Sequence, residues 1–242
     1  DDTPNYFFYN NGNGTFSEIA LLSGCAYSFN GIAQASMGVD AADYNGDGLL
    51  DIFVTNLSYE TNALYRNNGD GTFTDIIYEA NLGTESYLYV GFGTGFLDYD
   101  NDGYLDIFIA NGHVIDTIEE TSGVVTYAQP NQLFHNNQDG TFSQASSIAG
   151  TYFQRESISR GAIFGDYDND GDLDIVVTQS NGKAELLQNE GGNRRNWVRL
   201  QTVGTISNRD GIGTRVIMTA DQKSQVQEVH TGSSYLCSND SN

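Results

Sequence analysis

The chain has 242 residues, of which 38% are hydrophobic and 12% aromatic, so it can bury one substantial core or two smaller ones. Its net charge of −22 is unevenly spread: residues 1–182 hold 26 acidic and three basic side chains, whereas residues 183–242 hold six acidic and seven basic ones. This acidity predicts cations as partners and excludes nucleic acid. Because no apolar run approaches the roughly 18 to 20 residues that cross a bilayer, no membrane insertion is expected.

The first predicted element is a hairpin around residues 10–16 (Asn-Asn-Gly-Asn-Gly-Thr-Phe). Close copies of this turn occur at residues 67–73 and 136–142. Their Asn-Gly and Asp-Gly steps suit positive φ angles, and apolar residues flank them, as in Leu64 and Phe73. We therefore predict three hairpins, the first of which belongs to a half-unit over residues 5–19.

An aspartate-rich loop of nine residues also occurs three times. Its copies are residues 43–51 (Asp-Tyr-Asn-Gly-Asp-Gly-Leu-Leu-Asp), 98–106 (Asp-Tyr-Asp-Asn-Asp-Gly-Tyr-Leu-Asp) and 166–174 (Asp-Tyr-Asp-Asn-Asp-Gly-Asp-Leu-Asp). The β-branched and aromatic runs at 52–55, 107–110 and 175–178 follow directly and predict buried strands. The copies start 55 and 68 residues apart, and an insertion around 113–131 explains the longer interval as a projecting loop.

Several short strands per unit, 28 glycines, two prolines and no helical periodicity predict an all-β array of four-stranded units. A β-propeller with about three and a half blades is the leading interpretation. Since closed propellers usually have four to eight blades, we expect either an excerpt of a longer protein or a subunit that completes its ring with other chains. The change in charge near Lys183 predicts a domain boundary there.

The aspartate loops have the spacing of an oxygen-ligand cation site. Positions 1, 3, 5 and 9 offer side chains, position 7 offers a backbone carbonyl, and a glycine at position 6 allows the sharp turn. An all-oxygen set without His or Cys favours calcium over magnesium, zinc or copper, and about three ions are expected. The predicted ligands are Asp43, Asn45, Asp47, Leu49, Asp51, Asp98, Asp100, Asp102, Tyr104, Asp106, Asp166, Asp168, Asp170, Asp172 and Asp174.

Two other interpretations of these loops were considered. An EF-hand needs a bidentate acid at position 12, where this chain has Val54, Ile109 and Val177, so the pattern excludes it. The loops could also be plain Asp-Gly turns of an acidic protein, but four filled ligand positions in three successive copies favour metal binding.

The loops, the hairpin turns and the segments Gly91-Phe-Gly and Gly161-Ala-Ile-Phe-Gly resemble the FG-GAP or VCBS repeat family over residues 1–190. The tail is similar to the ASPIC/UnbV domain of the cartilage acidic protein family and its bacterial relatives. It shares segments 196–200, 208–216 and 232–236 but has Gly211 and Cys237-Ser238 where the family has other residues. The resemblance implies propeller blades in residues 1–190 and a small, incomplete β-rich domain in residues 191–242. It also implies that the propeller is stabilised by calcium, is secreted or at the cell surface, and acts in binding or adhesion.

Three functions remain open on sequence alone. The first is a calcium-dependent extracellular interaction or structural module that binds a protein or glycan, including copies of itself. The second is a calcium-dependent glycan-binding module, and the third an enzyme accessory domain. We expect no catalysis, because the chain has no nucleophile elbow, phosphate loop or metal-binding His pair. His113, His135 and His230 are scattered, and Cys25 and Cys237 form no ligand spacing.

Overall fold

The computed structural model describes residues 3–220 and 223–239. This part of the chain is mostly β-structure, which confirms the all-β prediction. Its α-helices are the single turns α1 (Ala20–Ser23), α2 (Gly83–Ser86) and α3 (Glu119–Ser122), and two short 3₁₀-helices lie at Thr151–Gln154 and Gly192–Arg194. None of the helices in the described ranges is long and apolar enough to span a bilayer.

The strands form antiparallel meanders with the order expected of propeller blades. An N-terminal hairpin contains β1 (Phe8–Asn10) and β2 (Phe16–Glu18). Blade 1 contains β3 (Val39–Ala42), β4 (Asp51–Val54), β5 (Ala63–Asn67) and β6 (Phe73–Asp75). Blade 2 contains β7 (Gly91–Leu97), β8 (Asp106–Asn111), β10 (Gln132–Asn136) and β11 (Phe142–Gln144), and the short β9 (Gln129–Pro130) precedes β10.

The remaining strands form a third blade and the C-terminal segment, which in the described part of the chain comprises residues 191–220 and 223–239. The short β12 (Glu156–Ser157) pairs with β9. Blade 3 contains β13 (Ser159–Gly165), β14 (Asp174–Gln179) and β15 (Glu185–Leu187). Two ribbons follow, β16 (Arg215–Ala220) with β17 (Lys223–Glu228) and β18 (Gly232–Ser233) with β19 (Cys237–Ser238). No sheet within the described ranges closes on itself.

The predicted strands and hairpins are confirmed. Each aspartate loop leads into the second strand of its blade, β4, β8 or β14. The hairpin turns place Gly69, Gly71 and Gly140 at positive φ, as the Asn-Gly and Asp-Gly steps predicted. Gln138 adopts a φ of 67° at the position that Gly69 occupies in blade 1, so the turn geometry does not depend on glycine there.

Apolar residues hold neighbouring blades together face to face. The cluster between blades 1 and 2 includes Phe53, Leu64, Ile77, Ile107, Ile109 and Phe134. The cluster between blades 2 and 3 includes Leu97, Phe108, Leu133, Ala162, Phe164 and Val177. These side chains come from alternate positions of strands in successive blades, so each blade contributes to the core of the next.

The insertion at 113–131 contacts blade 1 at its first residue and near its middle. His113 is buried and its Nε2 lies 3.2 Å from Ser58 Oγ, and the hydroxyls of Tyr59 and Ser122 are 2.6 Å apart. Between these contacts the segment is largely exposed, as at Val114 and residues 115–117, which agrees with the predicted loop.

The C-terminal segment contacts the first strands of all three blades. Ser234 pairs with Val39 as an isolated bridge and its Oγ accepts a hydrogen bond from the backbone N–H of Thr94 at 3.1 Å. The Tyr235 ring meets the edge of Phe92 with centroids 5.0 Å apart. Cys25 and Cys237 are both free thiols.

First strands of neighbouring blades approach so closely that glycine is needed between them. A Cβ at Gly93 would lie 2.4 Å from the backbone nitrogen of Ala162 in blade 3. We therefore expect Gly93→Ala to push the blades apart and lower the free energy of unfolding by about 1 to 3 kcal/mol, the usual range for overpacking. Urea unfolding followed by circular dichroism measures this change.

Gly232→Ala is the matched control, because a Cβ there meets no atom within 4 Å. Equal stability of the two variants would show that the blades do not pack as closely as described.

Candidate metal centre

The three aspartate loops fold in the same way. The carboxylate at position 1 accepts hydrogen bonds from the backbone N–H groups of positions 5 and 6. In the second loop, Asp98 accepts these bonds from Asp102 at 2.8 Å and Gly103 at 2.7 Å. The position-6 glycines have φ values of 86°, 83° and 97°, so a side chain there would strain the turn. Loop conformation is thus set by the sequence of each copy.

The carboxylate at position 9 is buried in each loop. Asp51 and Asp106 have no exposed surface, and Asp174 is 2% exposed. Each accepts a hydrogen bond from the backbone N–H of an asparagine at or just after the end of the third strand, as Asp106 does from Asn136 at 2.8 Å. The start of the second strand is therefore tied to the end of the third strand in all three blades.

In blades 2 and 3, the same asparagine also binds the aspartate loop of the preceding blade. The side-chain amide of Asn136 donates to the carbonyl of Tyr44 at 3.0 Å, and that of Asn189 donates to the carbonyl of Tyr99 at 2.7 Å. Both tyrosines hold position 2 of an aspartate loop. The first and second loops therefore lie at the junctions between blades, and a change in their geometry reaches the neighbouring blade.

Burial leaves part of the loop charge uncompensated. It raises the pKa of Asp51 to about 7, that of Asp98 to about 6 and that of Asp106 to about 8. The atoms Asp51 Oδ2 and Asp100 Oδ1 are buried and have no hydrogen-bond partner within the described ranges. Buried carboxylate oxygens without a donor fit a bound cation, and an oxygen donor set of this kind suits a hard divalent ion.

Two of the loops bring acidic groups within reach of one ion. Asp98, Asp100 and Asp102 each offer a carboxylate oxygen within 4.8 Å of the others, and so do the three acids Asp166, Asp168 and Asp174. The third position of the first loop is Asn45, whose amide donates to Asp47 Oδ2 at 3.0 Å. That loop forms no such three-acid group in the described chain.

Other predicted ligands are engaged by side chains outside the loops. Asp170 Oδ2 accepts a hydrogen bond from the amide of Asn193 at 2.6 Å. The Asp172 side chain is 1% exposed, and burial raises its pKa to about 6. The predicted role of position 7, a carbonyl ligand from Leu49, Tyr104 or Asp172, stays a prediction.

Basic residues of the C-terminal segment lie over the loops, which the sequence did not predict. Arg195 lies 3.8 Å from Asp100 and 3.7 Å from Asp102 in the second loop. Arg199 lies 3.9 Å from Asp166 in the third loop, and Arg215 donates to the carbonyl of Gly48 in the first. The only available signal was the excess of basic residues after position 182, which carries no information on where they dock.

His135 is a second residue that spacing alone missed. Its Nδ1 lies 3.2 Å from Asp106 Oδ1, and Asp100, Asp106 and His135 form a third group whose ligand atoms all lie within 4.8 Å. The signal was its place directly before Asn136, in a turn that repeats along the chain. The expectation that no His belongs to the ligand set stays a prediction, although His135 lies beside the second loop.

Comparison with protein families agrees with this arrangement. The FG-GAP-like repeat family matches residues 1–54, 43–109 and 123–177, which together are more than half of the chain. The chain belongs to the FG-GAP-like repeat family. A second family, ASPIC and UnbV, matches residues 204–242. Both resemblances seen in the sequence are confirmed, and the FG-GAP-like repeats indicate a propeller-like fold.

Curated relatives of this FG-GAP-like chain include cartilage acidic protein 1 of Mus musculus, 26% identical, and of Homo sapiens, 27% identical. The alignments cover 98% of this chain but 35% and 34% of the relatives, so the chain spans about a third of their length. A solved structure of an Agrocybe aegerita lectin, described as recognising non-reducing terminal N-acetylglucosamine, is 20% identical with a TM-score of 0.39. The aligned region covers 79% of this chain and 49% of the lectin chain, a similarity too low to assign a shared ligand.

One contact between the C-terminal segment and blade 1 is sensitive to pH. His230 Nε2 lies 3.4 Å from Asp40 Oδ1, and this hydrogen bond raises the pKa of His230 to about 9. Because the unfolded imidazole titrates near pH 6.5, the contact stabilises the fold fully below about pH 6.5, and its contribution disappears as the pH rises through about 9. Glu228, whose carbonyl lies 2.9 Å from Nδ1, is the other acidic residue beside this ring.

We expect His230→Gln to lower the free energy of unfolding at pH 6 and to have little effect at pH 10. Urea denaturation across this range, with the parent protein beside the variant, gives the comparison. A difference that is equal at both pH values would show that the side chain acts through packing and not through its charge.

Proposed function

We propose that this chain is a calcium-stabilised extracellular interaction module, in which the three aspartate loops bind calcium at the blade junctions and the exposed blade surfaces bind a partner. The carrying observation is one loop conformation, repeated three times, that buries carboxylate oxygens such as Asp51 Oδ2 and Asp100 Oδ1 without a donor. A calcium ion would satisfy these oxygens and remove the repulsion between carboxylates a few ångströms apart.

The junction position of the loops supports a structural role for the ions. Asp106 binds the hairpin residue Asn136, which in turn binds the carbonyl of Tyr44 in the preceding loop. An ion that orients the carboxylate at position 9 therefore also orients the asparagine that contacts the preceding blade. If each site is filled tenfold above its dissociation constant, mass action contributes about 1.4 kcal/mol per site, or about 4 kcal/mol for three.

The extracellular assignment comes from relatives and composition together. The curated relatives are named cartilage acidic proteins, and this chain carries a net charge of −22. Calcium sites of modest affinity fill outside cells, where the ion is abundant. Binding is favoured over catalysis, because the clustered acids of the loops are held by backbone N–H groups and form no nucleophile and base pair. The partner class, a protein, a glycan or a second copy, stays a prediction.

Calcium removal tests the proposal directly. Protein dialysed against a chelator should unfold at a lower temperature, by roughly 10 °C or more if about 4 kcal/mol is lost from a domain of this size. Titrating calcium back should restore the transition, and native mass spectrometry should then count about three ions.

Single substitutions locate the effect. Asp98→Asn should lower calcium stoichiometry by one ion and reduce the response to chelator, because it removes a charged ligand at position 1 of the second loop. Asp116→Asn is the matched control, since Asp116 is exposed and lies outside the loops. An unchanged melting temperature in chelator, with no bound calcium in the native protein, would reject the proposal.

A further inference from the structure

In each blade, the first residue after the aspartate loop pairs with a residue of the third strand. The residue that follows this third-strand residue is structurally equivalent in the three blades. The register pairs Ile52 with Tyr65, Ile107 with Phe134 and Ile175 with Leu187. The next residues along the chain are therefore Arg66 in blade 1, His135 in blade 2 and Gln188 in blade 3. Three unlike side chains thus occupy one position beside three nearly identical loops.

Each of these side chains acts on its own loop. Arg66 lowers the pKa of Asp51 through its charge, against the larger effect of burial. The amide of Gln188 donates to Asp168 Oδ2 at 2.6 Å. His135 places Nδ1 at 3.2 Å from Asp106 Oδ1. Of the guanidinium, the amide and the imidazole, only the imidazole can donate a nitrogen lone pair to a metal.

The geometry around His135 is that of a mixed ligand set. Asp106 has no exposed surface, and its carboxylate is held by the backbone N–H groups of Asn136 at 2.8 Å and Tyr99 at 3.2 Å. The Tyr99 ring meets the imidazole edge with centroids 6.0 Å apart and so restrains its orientation.

Two atoms of this set have no hydrogen bond. Asp100 Oδ1 and His135 Nδ1 are both buried and unpaired within the described ranges. The imidazole contact with Asp106 is close but does not have hydrogen-bond geometry. Ligands of one zinc-like ion at about 2.0 to 2.2 Å lie about 3 to 3.5 Å apart, a spacing that small side-chain adjustments within a 4.8 Å group reach.

We propose that the second loop is a mixed oxygen and nitrogen site, in which Asp100, Asp106 and His135 bind a divalent ion of the first transition row, such as Zn²⁺, in preference to calcium. This inference rests on the proposed function, because it assigns a different ion to one of the three loops. Imidazole nitrogen favours zinc and its neighbours, whereas carboxylates alone favour calcium. The side chain of His135 is 31% exposed, although its Nδ1 atom is buried against Asp106.

The alternative role for His135 is electrostatic. A protonated imidazole would act on Asp106 through its charge, as Arg66 acts on Asp51, without binding a metal. The two roles differ in the state of Nδ1: metal binding needs its lone pair, with the proton on Nε2, whereas the ion pair needs protons on both nitrogens.

Imidazole ¹⁵N NMR separates these roles. The chain has three histidines, and His135→Gln and His230→Gln assign all of them. In metal-free protein at pH 7.5, one equivalent of Zn²⁺ should shift the Nδ1 resonance of His135 and leave those of His113 and His230 in place. Calcium at millimolar concentration should leave the Nδ1 resonance of His135 nearly unchanged. An unshifted resonance with Zn²⁺ would overturn the inference.

Two substitutions form a matched pair of variants, because each gives one blade the residue that the other blade has at the equivalent position. His135→Gln gives blade 2 the residue that blade 3 has at the equivalent position, so the fold should be kept, and Zn²⁺ affinity should fall at least about tenfold, the lower end of what losing even an outer partner costs a metal site. Gln188→His should add a second Zn²⁺ site at the third loop. Calorimetric titration of Zn²⁺ in the presence of calcium measures both changes.

The outcomes separate this inference from the proposed function. Three calcium ions with no Zn²⁺ preference at the second loop would leave the proposed function in place and reject the nitrogen ligand. Zn²⁺ binding that His135→Gln does not weaken would also reject it. If no divalent ion binds any loop, both proposals fail.

Discussion

The burial of one carboxylate per blade, at position 9 of the aspartate loop, is the constraint on which the rest of the structure depends. Asp106 has no exposed surface. Its two oxygens accept hydrogen bonds from the backbone N–H groups of Tyr99, in the same loop, and Asn136, at the end of the third strand. Asn136, one of these donors, also binds the loop of blade 1. Loop conformation, strand pairing and blade stacking therefore all depend on one buried carboxylate in each blade. Burying such a charge costs free energy unless it is paired or bound to a metal.

The excess of acid in residues 1–182 has two sources of compensation. One is the calcium ion proposed for each loop, and the other is the set of basic residues that the C-terminal segment places over the loops, such as Arg195 beside Asp100 and Asp102. Both act on the same carboxylates. Exposed ion pairs contribute up to about 1 kcal/mol each, so they neutralise the loops less effectively than bound ions. The proposed ions and the docking of the C-terminal segment act on the same carboxylates, so their effects on stability are expected to be linked.

The repeat keeps its backbone constant and varies one neighbouring side chain. Equivalent register in the three blades presents Arg66, His135 and Gln188 to loops that share the same turn. The loop sequence sets the oxygen ligands, while the neighbouring strand supplies a charge, a nitrogen or an amide. A repeat protein can therefore differentiate its sites without changing the loops that build them.

The sequence by itself determined the elements whose information is local: the aspartate loops, the hairpin turns with positive φ and the strands that follow each loop, since each is encoded within about ten consecutive residues. Tertiary structure alone decided which groups meet. His135 follows Asp106 by 29 residues, and Arg195 follows Asp100 by 95. Such contacts depend on strand register and on the docking of a distant segment, and composition specifies neither. Spacing could align His135 with Arg66, but only the folded blade shows that this position faces the loop.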